Sequence, residues 1–422
     1  MHIHRHGRLE AALAALLSVG AGAPPAGASD WPQLWGPTVS AAVDEGAPPG
    51  AVALRELWRR PIGSGFSGIT VKSERGYTGE SDGTTDHAIA FDVKTGRTLW
   101  RAPLGETYRG HDGSRDGPIS TPAVSAGRVF MAGPRGSLIA LDSATGRVLW
   151  RQELVAEPRT KLPHYGFGAS PIVAGDRVVL QVGGAEKSGL VAYDAKTGAV
   201  AWSALPSETK GDSAGYATAA PLTLAGQKLL VVTAHDRVFA VRPEDGAVAW
   251  SHSLGEAEEP SRSPLVLDTD RVLVSRFSGS TLIALSPDGS GFKATESWKS
   301  ARLKGSYSPT VHAEGSLYGY NGQYLTCLDT KTGEVRWREK TQSGTLIRVG
   351  RHLVVLGESS GVLRIAEAAS TGYREVARAT AFNAGSQSST GPSYADGRVY
   401  VRNVEEMVAF DTGGAAKAEV QR

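Results

Sequence analysis

The chain has 422 residues, 41% of them hydrophobic and 21% charged, which is enough apolar material for a large core and excludes a disordered polypeptide. Lysine plus arginine number 45 against 43 aspartate plus glutamate, and a net charge of +2 gives no electrostatic reason for nucleic acid or an anionic membrane as partner. The 52 glycines follow no collagen period and accompany only 7% aromatic residues, a balance that points to many tight turns and an all-β chain.

The first residues read as an export signal. Basic positions (His2, His4, Arg5, His6, Arg8) precede an apolar stretch over 11–19 and the small residues Ala26, Gly27 and Ala28, so cleavage after Ala28 is expected. The apolar stretch is shorter than the roughly 20 residues that a membrane-spanning helix needs. We therefore divide the chain into a signal peptide (1–28), an N-terminal extension (29–53), a repeat domain (54–413) and a flexible tail (414–422), and expect a periplasmic or secreted protein. The one cysteine, Cys327, excludes an intramolecular disulfide, and no cysteine stands near the cleavage site to carry a lipid anchor.

Beyond residue 50 the sequence repeats itself. An eleven-residue pattern, Ala-x-Asp-x-x-Thr-Gly-x-x-x-Trp, occurs at Asp92, Gly96 and Trp100, at Asp142, Gly146 and Trp150, and at Asp194, Gly198 and Trp202. Another copy, opened by Cys327, carries Asp329, Gly333 and Trp337, and a weaker one has Gly246 and Trp250 with Arg242 in place of the aspartate. Upstream of most copies a short apolar strand begins at a proline: Pro122, Pro171, Pro221, Pro264 and Pro309. The aspartate can accept backbone N–H groups ahead of it, and the glycine supplies the left-handed turn of a bulged hairpin. The tryptophan then stands where its ring can cover the seam against the next unit, an architectural role rather than a site.

Trp58, Trp100, Trp150, Trp202, Trp250, Trp298 and Trp337 are spaced at roughly one per unit, and 344–379 reads as a further unit in which 373–376 replaces the tryptophan strand. The stretch 392–411 has too few strands, whereas 54–59 is a lone outer strand. Combining the two closes a β-propeller of eight four-stranded blades with no open edge; seven blades is the other count, because the units near Gly289 and at 344–379 are degenerate.

The repeated pattern resembles the PQQ-like β-propeller repeat family, over about residues 30–413. Asp30 to Pro37, Arg115 to Pro118 and His164 to Gly168 resemble its exported, single-domain, BamB-like members. The family's quinoprotein dehydrogenases imply a vicinal Cys-Cys disulfide, a Glu/Asn/Asp set on calcium and a catalytic aspartate. With one cysteine and no such oxygen set, this sequence offers no positions for PQQ or calcium, and no cofactor is expected.

Other chemistry is sparse. His111, Asp112 and His164 read as separate loop residues without metal-ligand spacing, so no metal site is expected. No Gly-x-Ser-x-Gly elbow, phosphate-binding loop or basic stripe occurs, and no catalytic residue is assigned. Arg115, Asp116, His164, Tyr165, Tyr216, Arg262 and Tyr307, each near the start of a proline-marked strand, would converge at one mouth of the channel. They are the candidate binding residues, with polar loop residues around a wet channel as the equal alternative. The functional expectation is a non-enzymatic scaffold for a protein or peptide, with envelope assembly implied by the BamB resemblance. The alternatives are a PQQ-dependent oxidoreductase and a sensor of a small polar molecule such as a sugar.

Overall fold

The computed structural model describes residues 30–44, 52–112, 115–154, 162–182, 189–205, 215–234, 236–258, 262–289, 291–304, 307–388 and 390–413. The signal expected over 1–28 and the tail over 414–422 lie outside them. The described residues form eight sheets arranged as the blades of a β-propeller, each blade's four strands running antiparallel. Blade 1 spans 70–106, blade 2 123–153, blade 3 172–204, blade 4 220–253, blade 5 265–300, blade 6 311–340 and blade 7 344–380. Blade 8 takes three strands from 393–411 and its outermost strand, Arg55–Pro61, from the other end of the chain. Arg55 pairs with Asp411 and Pro61 with Glu406, so the ring closes without a free edge and the blade count is eight.

The repeated pattern builds each outer hairpin locally. Asp142 Oδ1 accepts the Ala144 N–H at 3.1 Å, the Thr145 N–H at 2.9 Å and the Thr145 hydroxyl at 2.8 Å. Gly146 then turns at φ +72° and donates its N–H to the Asp142 carbonyl. Asp92, Asp194 and Asp329 cap their turns in the same way. Where Arg242 replaces the aspartate, Asp245 ion-pairs with it and accepts the Ala247 N–H.

Trp58, Trp100, Trp150, Trp202 and Trp298 each lie over the turn glycine of the following blade. Trp100 Nε1 donates to the Ser143 carbonyl at 3.2 Å, Trp150 Nε1 to Ala195 at 3.1 Å and Trp58 Nε1, across the closing seam, to Val93 at 2.9 Å. A Cβ at Gly146 would sit 2.7 Å from the Trp100 ring, so the glycine is required twice, for its φ and for the ring above it. Blade 7 has no glycine against Trp337, whose Nε1 donates to the Ala369 carbonyl at 2.9 Å. Blade 5 departs further. Its outer strands, Gly279–Asp288 and Gly291–Ser300, make a longer hairpin without the aspartate turn, and Trp250 Nε1 has no acceptor among the described residues.

Blades 8 and 1 are further joined by Arg402, whose side chain is fully buried. Its guanidinium donates to the carbonyls of Gly79 and Gly63 and to Thr78 Oγ1. Burial pulls its pKa down to about 10, with Glu80 acting in the opposite direction.

The extension over 30–44 enters the channel rather than lying on the surface. Trp31 exchanges both backbone hydrogen bonds with Val71 of blade 1, the Pro32 carbonyl accepts from Val124 of blade 2, and Ala42–Val43 adds a parallel strand to blade 7. Val39 packs into the apolar cluster shared by blades 3 and 4. The segment thus reaches around the ring.

Candidate functional site

The channel holds a cavity of about 400 Å³. Its floor carries Trp31, Leu34, Trp35 and Val39 of the plugging segment, and its wall is built from residues that lead into the inner strands. Along blades 2 to 5 a hydroxyl before or near the proline of the inner strand ties one blade to its neighbour. Gly68 N–H donates to Thr121 Oγ1 (2.9 Å), Thr121 N–H to Ser170 Oγ (2.9 Å), Ser170 N–H to Thr218 Oγ1 (3.0 Å) and Thr218 N–H to Ser263 Oγ (3.1 Å). This ladder satisfies backbone donors that a round channel would otherwise leave without partners.

Of the seven candidate residues, Tyr165, Tyr216, Arg262 and Tyr307 line the cavity. Tyr216 accepts the Tyr165 N–H through its hydroxyl at 3.0 Å. Arg262 is buried and donates to Thr310 Oγ1 at 3.3 Å, and desolvation alone lowers its pKa to about 9. Tyr307, 67% exposed, and Phe277, 53% exposed, both border the cavity. Arg115 reaches across to Gln387 Oε1 (3.1 Å), a cavity residue in the loop before blade 8's inner strand. Asp116 turns back into its own loop, where its carboxylate accepts the Gly110 N–H at 2.9 Å and pairs with Arg109. Burial opposes its ionisation, yet these two donors hold its pKa below the usual aspartate value.

His111, Asp112 and His164 are not separate, and the expectation that they stand alone is corrected. The loops entering blades 2 and 3 bring their ligand atoms within 4.8 Å of one another. Asp112 Oδ2 lies 2.8 Å from His164 Nε2 and 3.2 Å from His111 Nδ1. The His164 side chain, followed by that of His111, lowers the Asp112 pKa. The His111 ring stacks on Tyr165 at 5.2 Å, and Tyr108 donates its hydroxyl to the His164 carbonyl at 2.9 Å. Asp112 itself reaches the cavity. His111 and His164 are about one repeat apart in sequence, so equal phase in successive units was the available clue. Phe277 and the floor residues carry no such signal.

The family model described as outer membrane protein assembly factor BamB matches residues 84–339. The chain belongs to the BamB family. A curated relative, outer membrane protein assembly factor BamB of Burkholderia pseudomallei (strain K96243), is 26% identical over 350 residues, covering 73% of this chain and 87% of the relative. BamB from Moraxella catarrhalis superposes with a TM-score of 0.61 at 17% identity, over 87% of this chain and 99% of the other. A europium-containing methanol dehydrogenase superposes at 0.66 with 12% identity, over 91% and 98% of the two chains. A quinohemoprotein alcohol dehydrogenase from Comamonas testosteroni gives 0.63 at 14% identity, over 93% and 82%. At these identities the structural likenesses show the eight-bladed fold, which BamB and the dehydrogenases share, and nothing of the chemistry. Among the described residues no helix is long and apolar enough to cross a membrane.

Proposed function

We propose that the protein is an exported, non-enzymatic scaffold of envelope assembly that holds a protein or peptide at the mouth of its central cavity. The observation that carries this reading is the rim. Phe277 and Tyr307 are large exposed side chains on two different units, and both border the cavity that the extension also lines. Exposed aromatics around a concave, largely apolar wall are the anchors that protein and peptide partners use. Membership of the BamB family supports outer-membrane protein assembly as the process.

The cavity does not suit the quinone of the dehydrogenases. PQQ carries three carboxylates, whereas Arg262 is the one cationic side chain among the described lining residues, and the floor is formed by Trp31, Leu34, Trp35 and Val39. The lining carboxylates Asp112 and Glu358 do not make a calcium cage of the six to eight oxygens that ion takes. Cys327, the only cysteine, is buried in blade 6. We therefore derive no redox step.

The test places a photo-crosslinking residue at position 307 and, as control, at position 248, an exposed valine on an outer strand of blade 4. In the native envelope fraction, position 307 should give a discrete protein adduct and position 248 should not. Tyr307→Ala and Phe277→Ser should reduce the adduct more than tenfold with unchanged melting. No adduct at 307, together with PQQ or a sugar retained by the purified chain, would overturn the proposal.

A further inference from the structure

We propose that His111 Nδ1, the Asp112 carboxylate and His164 Nε2 form a site for one divalent transition-metal ion of the zinc class at the cavity rim. The site stands independently of what partner occupies the mouth.

The first argument is spacing. Ligands about 2.0–2.1 Å from a tetrahedral ion lie about 3.3 Å from each other. The carboxylate oxygen of Asp112 is 2.8 Å from one imidazole nitrogen and 3.2 Å from the other. Two loops from different inter-blade connections have therefore brought three donors close to ligand separation, and a small adjustment opens them around an ion.

The second argument is the tautomer of His111. Its Nε2 lies 2.6 Å from the His164 carbonyl oxygen, which can only accept, so Nε2 carries the proton. In the neutral ring Nδ1 then presents a lone pair, and that lone pair faces the Asp112 carboxylate. Two electron-rich atoms at 3.2 Å repel unless a proton or a cation lies between them. Histidine ligands of metals characteristically donate the other ring N–H to a carbonyl, the arrangement His111 adopts. Tyr108 donates to the same carbonyl, and the stack on Tyr165 holds the ring in place. Asp112 keeps its place with a left-handed backbone, φ +51°, a conformation uncommon outside glycine.

Two imidazoles and one carboxylate select zinc, cobalt, nickel or copper over calcium or magnesium, which prefer all-oxygen shells. Three protein ligands leave a fourth position open, and Asp112 and Tyr165 set that position beside the cavity. A carboxylate, imidazole or water could complete the shell from the mouth.

The test uses the chain beginning at residue 29, without a polyhistidine tag, stripped with chelator and titrated with Co²⁺ and then Zn²⁺. We expect one ion per chain, a visible cobalt absorption displaced by zinc, and a higher melting temperature with zinc. His164→Gln and Asp112→Asn should weaken binding at least tenfold while melting with the wild type in the absence of metal. His111→Gln serves if either of these does not fold. Tyr108→Phe, a positioning change, should weaken binding about tenfold with the cobalt spectrum retained. The proposal is overturned if the wild type binds no stoichiometric cobalt, or if it and the His164→Gln/Asp112→Asn double variant bind with the same affinity.

Discussion

Gly146→Ala tests the seam between blades 1 and 2 directly. Two costs arise. The backbone holds φ +72°, which disfavours any L side chain by about 1–2 kcal/mol, and the new methyl would lie 2.7–3.0 Å from three atoms of the Trp100 ring. Overpacking of that kind costs about 1–3 kcal/mol, so the total is about 2–5 kcal/mol. Gly127, in an inner turn of the same blade, has nearly the same φ, +73°, and nothing within 4 Å of its would-be Cβ. Gly127→Ala should thus show only the backbone cost, about 1–2 kcal/mol. Urea unfolding followed by tryptophan fluorescence measures both. A double-mutant cycle sharpens the test: Trp100→Ala alone should cost about 3–5 kcal/mol, but adding Gly146→Ala to it should cost no more than Gly127→Ala does, because the ring is gone. Equal losses for Gly146→Ala and Gly127→Ala, or full additivity in the cycle, would refute the account of ring over glycine.

Three further changes probe other parts of the molecule. Asp86 is buried, and desolvation raises its pKa from 3.8 to about 6 despite the Tyr108 N–H it accepts. The folded state therefore holds this proton more tightly than the unfolded chain, and stability falls as pH rises from about 4 through 6, by up to about 3 kcal/mol. Asp86→Asn should raise the melting temperature at pH 7.5 and flatten the slope between pH 4 and 6.5, checked by thermal scans across that range. Arg402→Met leaves the Gly63 and Gly79 carbonyls without their donor at the closing seam and should cost roughly 3 kcal/mol or more in denaturant unfolding. Arg115→Ala breaks only an exposed hydrogen bond to Gln387, so it should shift stability by under about 0.5 kcal/mol while weakening the partner captured at the rim.

What the sequence made legible was what its residues determine locally. Asp142, Thr145 and Gly146 lie within five positions, their bonds to each other form the hairpin, and the repeat of that hairpin fixes the blades. The closing strand was also readable, because 54–59 had an outer-strand pattern and no unit of its own. The plugging segment was not, since residues 30–44 have no strand period and find their partners at Val71, Val124 and Arg348, each set by the ring rather than by neighbours in sequence. The same reason hid the His111, Asp112 and His164 cluster, whose members meet only when successive inter-blade loops converge. Asp116 fails in the opposite sense. Its residue type suited a binding rim, but its carboxylate is used by the Gly110 N–H and Arg109 of its own loop.

The clasp of Arg55–Pro61 on the last blade also orders events in time. That strand is made early, yet its partner across the seam, Asp411, lies 356 residues further on, and joining ends so far apart carries a closure entropy of about 5 kcal/mol. The plug must wait as well, because Ala42–Val43 pairs with blade 7. Until blade 7 is made the floor lacks its paired strand, and until the final strands arrive the ring stays open. Whatever requires the closed cavity therefore requires a finished molecule.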